Sequence, residues 1–192
     1  MSSQPKSFLT PEEYLERERK AEFKSEYFNG EVFAMAGGSR RHSLIAGNLV
    51  REFGQQLKKR PCEVHGSDLR LRVSPRGLYT YPDVTIICAD PQFADEQKDT
   101  LLNPVVIVEV LSASTRDYDR GMKFEQYRLL PSLQEYLTVA QDAVHVEHWV
   151  RQPENRWLLA EFRELTETIP LESIACNLPL AEIYDKVEWP SA

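Results

Sequence analysis

Apolar residues recur at helical spacing in one stretch of the chain, and capping signals mark two further helices. In residues 41–59 every fourth side chain is apolar, which predicts one buried helix face. These side chains are Ile45, Leu49, Phe53 and Leu57. An earlier helix is predicted to begin at Thr10, whose side chain suits an N-cap and which precedes a proline. A third helix is predicted over residues 116–130, where Pro131 ends it.

Strands are predicted where apolar residues alternate or run together. Asn29-Gly30, flanked by alternating aromatic and apolar residues, predicts a β-hairpin. Residues 105–111 are almost all apolar, which predicts a central strand buried on both faces. Further strands are predicted at 63–73, 79–88, 135–140, 143–151 and 156–162. Together these elements indicate an α/β or α+β fold, a mixed sheet flanked by helices.

The composition places this pattern in one globular domain. With 192 residues, 42% apolar, the chain is predicted to form a single domain over 1–192, with a core at about 9–165 and a C-terminal extension at 166–192. No apolar run approaches the ~20 residues that span a bilayer. The start of the chain also lacks the apolar core of a signal peptide.

Cysteine usage favours a reducing compartment. Cys62, Cys88 and Cys176 are odd in number, widely spaced and without a CxxC pair. Neither a disulfide framework nor a zinc site is therefore expected, and a cytoplasmic location is predicted.

The charge is unevenly distributed. The net charge of −7 argues by itself against nucleic acid, whose phosphates need basic partners. Residues 40–76, however, hold nine Lys and Arg against three acids, a net charge of +6 that leaves −13 on the remaining chain. This basic window is either a nucleic-acid contact or a solvated helix face followed by an exposed hairpin.

Two acids interrupt apolar strands. Glu109 lies within residues 105–111, and Asp83 lies within the apolar segment 81–87. A lone ionised carboxylate in a buried strand costs several kcal/mol unless it is paired or binds a metal. If the two strands are neighbours, the acids converge and suit Mg²⁺ or Mn²⁺. The alternative is a buried salt bridge with Arg or Lys.

The third helix carries a lysine, Lys123, that follows the strand of Glu109 closely in the chain. Asp119, Lys123 and Tyr127 are spaced by four and share one face. If this helix packs back over the sheet, Lys123 can reach the two carboxylates. The spacing alone is equally typical of an exposed Asp119–Lys123 pair, which stabilises little. Gly121 is unfavourable within a helix, which suggests close packing or a later helix start.

Taken together, these segments resemble the Uma-two family of restriction endonucleases in the PD-(D/E)XK superfamily. The matching segments are residues 26–32, His42, 81–84, 103–115, 119–128 and 131–137. The resemblance covers roughly residues 9–140 and implies a restriction-endonuclease-like fold, a mixed central β-sheet flanked by α-helices.

The resemblance also implies roles for single residues. Asp83 matches the acid of the Pro-Asp half-motif, and Glu109 matches the acid of the E-x-K half-motif. Leu111 stands where that motif has lysine, and Lys123 matches a lysine that has moved to the following helix.

A further acid is implied upstream, where it would help to hold a second metal or its water. Glu26 matches it, and Glu31 is the competing candidate.

The sequence therefore predicts a Mg²⁺- or Mn²⁺-dependent endonuclease that hydrolyses nucleic acid, with DNA as the expected substrate. A homodimer is expected by analogy, because a duplex has two strands to cut. Candidate nucleic-acid contacts are Arg40, Arg41, His42, Arg70 and Arg72. Two alternatives stay open: a non-catalytic nucleic-acid-binding or assembly module on the same fold, and a buried ion-pair network with a structural role.

Overall fold

The structure, a computed structural model, describes residues 8–74, 77–112 and 116–189. Its α-helices are α1 (Pro11–Glu18), α2 (Arg40–Leu57), α3 (Arg116–Tyr118), α4 (Phe124–Tyr127) and α5 (Leu180–Ile183). A π-helical turn, Asp119–Lys123, joins α3 to α4 without a break. Arg76 of the basic window and residues 113–115 of the family resemblance lie outside the described residues.

The strands form two mixed sheets and a hairpin. They are β1 (Ser25–Phe28), β2 (Glu31–Ala34), β3 (Glu63–Gly66), β4 (Arg70–Arg72), β5 (Tyr79–Thr80), β6 (Val84–Ile87), β7 (Thr100–Leu101), β8 (Val106–Leu111), β9 (Glu135–Ala140), β10 (Val146–Gln152), β11 (Arg156–Phe162), β12 (Thr168–Leu171) and β13 (Cys176–Pro179). The larger sheet has the order β11-β10-β9-β8-β6-β3, the smaller one β2-β1-β5-β4-β7, and β12 pairs with β13. In the larger sheet β8 and β9 are parallel and the other pairs antiparallel. The predicted mixed sheet with flanking helices is confirmed.

Local sequence signals account for the first helix and the first hairpin. Thr10 accepts a hydrogen bond from the Glu13 backbone while the Glu13 side chain accepts one from the Thr10 backbone, a complete capping box. Asn29 and Gly30 both have positive φ, 48° and 92°, as a two-residue type I′ hairpin turn requires. Both predicted elements are confirmed.

The core lies on both faces of the larger sheet. All six residues of β8 are buried, which confirms its prediction as a central strand. One face packs against α2 and against the C-terminal segment, whose Ile169, Leu178 and Ile183 are fully buried there. The other face packs against α4 through Phe124 and Tyr127. The division into one domain with a C-terminal extension stays a prediction.

Two predicted strands are each divided between the sheets. Segment 63–73 forms β3 in the larger sheet and β4 in the smaller one, and segment 79–88 likewise forms β5 and β6. Pro82 lies in the second gap and has no N–H to donate to a ladder, so strand pairing stops there. The crossing brings the smaller sheet beside the centre of the larger one.

The prediction that the cysteines form no disulfide is wrong for one pair. Glu63 of β3 opposes Ile87 of β6, so the next residues outward, Cys62 and Cys88, also face each other. They are joined by a disulfide, with Cα atoms 4.0 Å apart. The number and spacing of cysteines do not reveal which strands pair, and here strand pairing decides. The cytoplasmic location, inferred from the same cysteines, stays a prediction. Within the described ranges, no helix has both the length and the apolar character to cross a bilayer.

Candidate active site

Strand register brings the two interrupting acids together. β6 and β8 are antiparallel with Val84 opposite Val108, so Asp83, one residue before β6, is placed opposite Glu109. Directly opposed residues of such a pair point to the same face of the sheet. The backbone N–H of Val110 donates to Asp83 Oδ2 at 2.8 Å, which fixes that carboxylate against the edge of β8.

Lys123 lies among three carboxylates. Its Nζ is 3.0 Å from Glu26 Oε1 and 3.1 Å from Glu109 Oε1. The third acid, Asp119, has Oδ1 3.3 Å from the same nitrogen. The lysine side chain is only 7% exposed, so this is a buried cluster and not the exposed helical pair that the spacing alone allows. The structure thus brings together Glu26, Glu109 and Lys123 from three separate parts of the chain.

The π-helical turn presents Asp119 and Lys123 to the sheet. Both are buried, at the two ends of the wider turn. Gly121 in the same turn is exposed, and a Cβ there would meet nothing within 4 Å. Close packing therefore does not explain Gly121. A later helix start does not explain it either, because the helix begins at Arg116 in the structure. Single π-turns often occur at functional sites, where they re-aim side chains.

Hydroxyl groups hold the carboxylates in place. Tyr127 donates to Glu109 Oε1 at 2.6 Å, and Tyr118 donates to Glu26 Oε2 at 3.1 Å. The hydroxyl of Thr80 donates to Glu26 Oε1. Sequence reasoning did not assign these three residues, although Tyr127 carried a signal, its spacing of four from Lys123. Tyr118 and Thr80 carried none, because they reach Glu26 across distant elements.

Helix α2 supplies a histidine to the same site. His42 Nε2 lies 3.1 Å from Asp83 Oδ2, the oxygen that Val110 also contacts. This hydrogen bond raises the pKa of His42. The helix N-terminus is capped by Ser39, whose side chain accepts from the His42 backbone. His42 therefore touches the candidate metal ligand itself, a contact that the sequence did not predict.

The cluster carries more negative charge than its cation balances. Lys123 is paired with three carboxylates, all of them at most 10% exposed. Burial is the main cause that raises the pKa of Glu109 to about 8, and Asp119 and Asp83 add to it. Burial alone would lower the pKa of Lys123, but the attraction of the surrounding carboxylates outweighs it and raises that pKa well above its ordinary value. The site therefore holds a charged ammonium that three buried acids share.

Two acids at this site, Asp83 and Glu109, are of the ligand type that a hard divalent cation prefers. Hydrogen bonds from the described residues reach Oδ2 of Asp83 and Oε1 of Glu109. No such bond from those residues reaches Asp83 Oδ1 or Glu109 Oε2, so each acid keeps one oxygen for a ligand. Mg²⁺ binds through one or two carboxylates and retains water, so this donor set suits it. Both oxygens of Glu26 already accept hydrogen bonds or the lysine contact.

A second group of acids lies farther along the sheet. His145, Glu147 and Glu161 have ligand atoms within 4.8 Å of one another. Glu147 is also 3.0 Å from Arg120 Nε, and Glu161 is 3.2 Å from Arg163. Glu147 and Glu161 therefore each pair with an arginine of their own, whereas Glu26, Glu109 and Asp119 share Lys123.

The predicted nucleic-acid contacts fall into two groups. Arg40 is exposed and Arg41 half-buried at the N-terminus of α2, in the helical turn that carries His42. Arg70, by contrast, is 3% exposed and pairs with Asp99 at 3.0 Å. The structure therefore does not bring its guanidinium to the surface. Arg72 is half-buried on the same strand.

Of the two upstream acids, Glu26 is the one in contact with Lys123. Glu31, the competing candidate, begins β2 opposite Phe28, at the turn end of the hairpin. The closed end of the hairpin and the site thus lie apart along β1.

A mixed sheet with paired acids on adjacent central strands and a lysine on the following helix defines a restriction-endonuclease-like protein. The family model Uma2, described as "Putative restriction endonuclease", matches residues 11–181. The chain belongs to this family, as its sequence motifs predicted.

The chain is also similar to two curated proteins and to one solved structure. The chain is 40% identical over 153 residues to "Uncharacterized protein sll1609" of Synechocystis sp. (strain ATCC 27184 / PCC 6803 / Kazusa), which covers 80% of this chain and 86% of that protein. It is 38% identical over 184 residues to "Uncharacterized protein slr1290" of the same organism, and this match covers 95% of this chain and 94% of that protein. The crystal structure of "a putative nuclease belonging to DUF820" from Anabaena variabilis ATCC 29413 has a TM-score of 0.74 at 19% identity, covering 92% of this chain and 97% of that one. This last likeness concerns the fold.

Proposed function

We propose that this protein is an endonuclease that uses Mg²⁺ or Mn²⁺ to hydrolyse phosphodiester bonds in nucleic acid, with DNA as the expected substrate. The observation that carries the proposal is the buried excess of carboxylates around Lys123, which one ammonium cannot neutralise. Buried charges are stable only when paired or bound to metal. The family to which the chain belongs supports the same chemistry.

In this proposal Asp83 and Glu109 hold the metal ion through the oxygens that accept no hydrogen bond from the described residues. A bound divalent ion would polarise the phosphoryl oxygen and lower the pKa of a water molecule. Val110 and His42 keep Asp83 in position, while Tyr127 keeps Glu109 in position. Glu26 orients Lys123, and its part in holding a second metal or its water stays a prediction.

Lys123 acts as a fixed positive charge. Because the surrounding carboxylates raise its pKa, it remains protonated at neutral pH and is unsuited to accept a proton. An ammonium at this place stabilises the negative charge that develops on the phosphate in the transition state. A part for Lys123 in positioning the attacking water stays a prediction, because its ammonium already faces three carboxylates in this structure.

The two alternatives are less well supported. A non-catalytic module would leave Lys123 free to point away from the acids, whereas here it contacts Glu109 and Glu26. A purely structural ion-pair network would match one cation to each acid, whereas here three buried acids share the single ammonium of Lys123.

Arg40, Arg41 and His42 are proposed to contact the phosphate backbone beside the site. With the remaining chain strongly acidic, binding should be weak and should fall steeply with salt. A homodimer stays a prediction that light scattering on the purified protein can test.

A cleavage assay on supercoiled plasmid tests the proposal. The wild type should nick DNA with Mg²⁺ or Mn²⁺, while Asp83→Ala, Glu109→Ala and Lys123→Ala should each lose activity. Glu125→Ala is the matched control, because Glu125 is an exposed acid on the same helical segment. Absence of metal-dependent cleavage of DNA and RNA, or full activity in the three site variants, would refute the nuclease assignment.

A further inference from the structure

The candidate site lies between two unlike flanks. On the side of Asp83, helix α2 begins with Arg40, Arg41 and His42, and His42 touches Asp83. On the side of Glu26, the β1–β2 hairpin ends in an edge strand of the smaller sheet. That edge strand carries an exposed aromatic residue, Phe33, which is 45% exposed.

Strand register places Phe33 beside the site. Phe33 of β2 is directly opposite Glu26 of β1, so both side chains project from the same face of the hairpin. The Cβ atoms of directly opposed antiparallel residues are about 4.5–5.5 Å apart. Since Glu26 Oε1 is 3.0 Å from Lys123, Phe33 borders the carboxylate cluster.

The neighbouring residue provides a contrast within the same strand. Val32 is exposed to the same degree, 44%, but it opposes Tyr27 and projects from the other face of the hairpin. Comparing substitutions of Phe33 and Val32 therefore distinguishes an effect specific to the hairpin face of Glu26 from a general effect of removing an exposed apolar side chain.

The two flanks match the two parts of a nucleotide. Arginine side chains at a helix N-terminus suit phosphate, and an exposed aromatic ring suits the face of a base. Stacking on an aromatic side chain strengthens binding by about 5- to 150-fold per base. Bases inside a duplex are covered by their neighbours, so a protein ring can stack only on an unpaired or extruded base.

We propose that Phe33 stacks on a base next to the scissile phosphate, so that the site acts on nucleic acid in which this base is unpaired. This inference rests on the proposed function and narrows its substrate class. Single strands, loops and frayed ends meet the requirement, while a continuous duplex meets it only when the base leaves the helix.

Binding without cleavage tests the inference. Fluorescence anisotropy in EDTA would compare three fluorescein-labelled probes: a 12-nucleotide oligo-dT, a 12-nucleotide abasic oligomer and a 12-base-pair duplex. The proteins compared are the wild type, Phe33→Ala, Phe33→Trp and Val32→Ala.

Phe33→Ala should weaken binding of oligo-dT by at least 5-fold and should leave binding of the abasic oligomer within 2-fold. Phe33→Trp should retain binding of oligo-dT, because indole also stacks. Val32→Ala should bind all three probes like the wild type.

Equal binding of oligo-dT by the wild type and Phe33→Ala would overturn the inference, as would an equal loss for oligo-dT and the abasic oligomer. A change of oligomeric state in Phe33→Ala, seen by light scattering, would also overturn it, because the ring would then be a protein contact. Failure of the proposed function is distinct: it would appear as a wild type whose melting temperature does not respond to Mn²⁺.

Discussion

Replacing Glu109 with Gln should stabilise the metal-free protein while it removes metal binding. Burial raises the pKa of Glu109 from the ordinary 4.5 to about 8, so the folded state favours the protonated form. The stability from this protonation is fully present below pH 4.5 and is lost as the pH rises to about 8. Gln cannot ionise, so the variant should not show this loss.

The size of the effect follows from the shift. Each pKa unit corresponds to about 1.4 kcal/mol, so the whole shift amounts to roughly 5 kcal/mol at pH 8. The attraction of Lys123 is already contained in this shift, and at pH 8 Glu109 is only half ionised, so the realised gain is smaller than the whole shift. We therefore expect a net gain on the order of 3 kcal/mol, or roughly 6–12 °C in melting temperature for a protein of this size.

Calorimetry at pH 5 and pH 8, in EDTA and in excess Mn²⁺, measures both parts of this prediction. In EDTA the advantage of Glu109→Gln should grow from pH 5 to pH 8. Mn²⁺ should raise the melting temperature of the wild type and leave the variant unchanged, because only the wild type binds it. Glu125→Gln, which changes an exposed acid of α4, should match the wild type throughout. A variant that is less stable than the wild type at pH 8 in EDTA, or that still responds to Mn²⁺, would refute the reasoning.

Three further predictions concern other parts of the molecule. Lys123→Met should lower the free energy of unfolding in EDTA by about 3–5 kcal/mol, because it leaves the buried carboxylates without their cation; equal denaturant midpoints for variant and wild type would contradict this. Cys62→Ser should lower the free energy of unfolding by roughly 3 kcal/mol under oxidising conditions, because the disulfide closes a loop with a sequence separation of 26 residues. After reduction the same variant should have little effect. Peptide mapping without reductant should show the Cys62–Cys88 link. Arg70→Ala should lower the melting temperature without a selective loss of nucleic-acid affinity. Arg41→Ala should leave the melting temperature unchanged, weaken nucleic-acid binding and reduce the salt dependence of that binding. The reverse pattern would show that Arg70, and not Arg41, contacts nucleic acid.

Much of the local structure was predictable because it depends on neighbours in the chain. The capping box at Thr10, the Asn29-Gly30 turn and the apolar stripe of α2 each act over a few residues. The buried central strand was predictable for the same reason, since a run that is apolar at almost every position indicates burial on both faces.

The candidate site was predictable only in part. An acid within an apolar strand is unusual, and this alone singled out Asp83 and Glu109. The spacing of Asp119, Lys123 and Tyr127 indicated a shared face but did not say whether that face is buried.

The sequence by itself determined the first two helices, the first hairpin, the central strand, the two interrupting acids and the family to which the chain belongs. Only the tertiary structure decided that Arg70 is buried, that Cys62 meets Cys88 and that His42 reaches Asp83. The physical reason is one of range. Periodicity and turn chemistry act between residues close in the chain, whereas strand pairing and helix docking join residues far apart, and they are selected by the packing of the whole core.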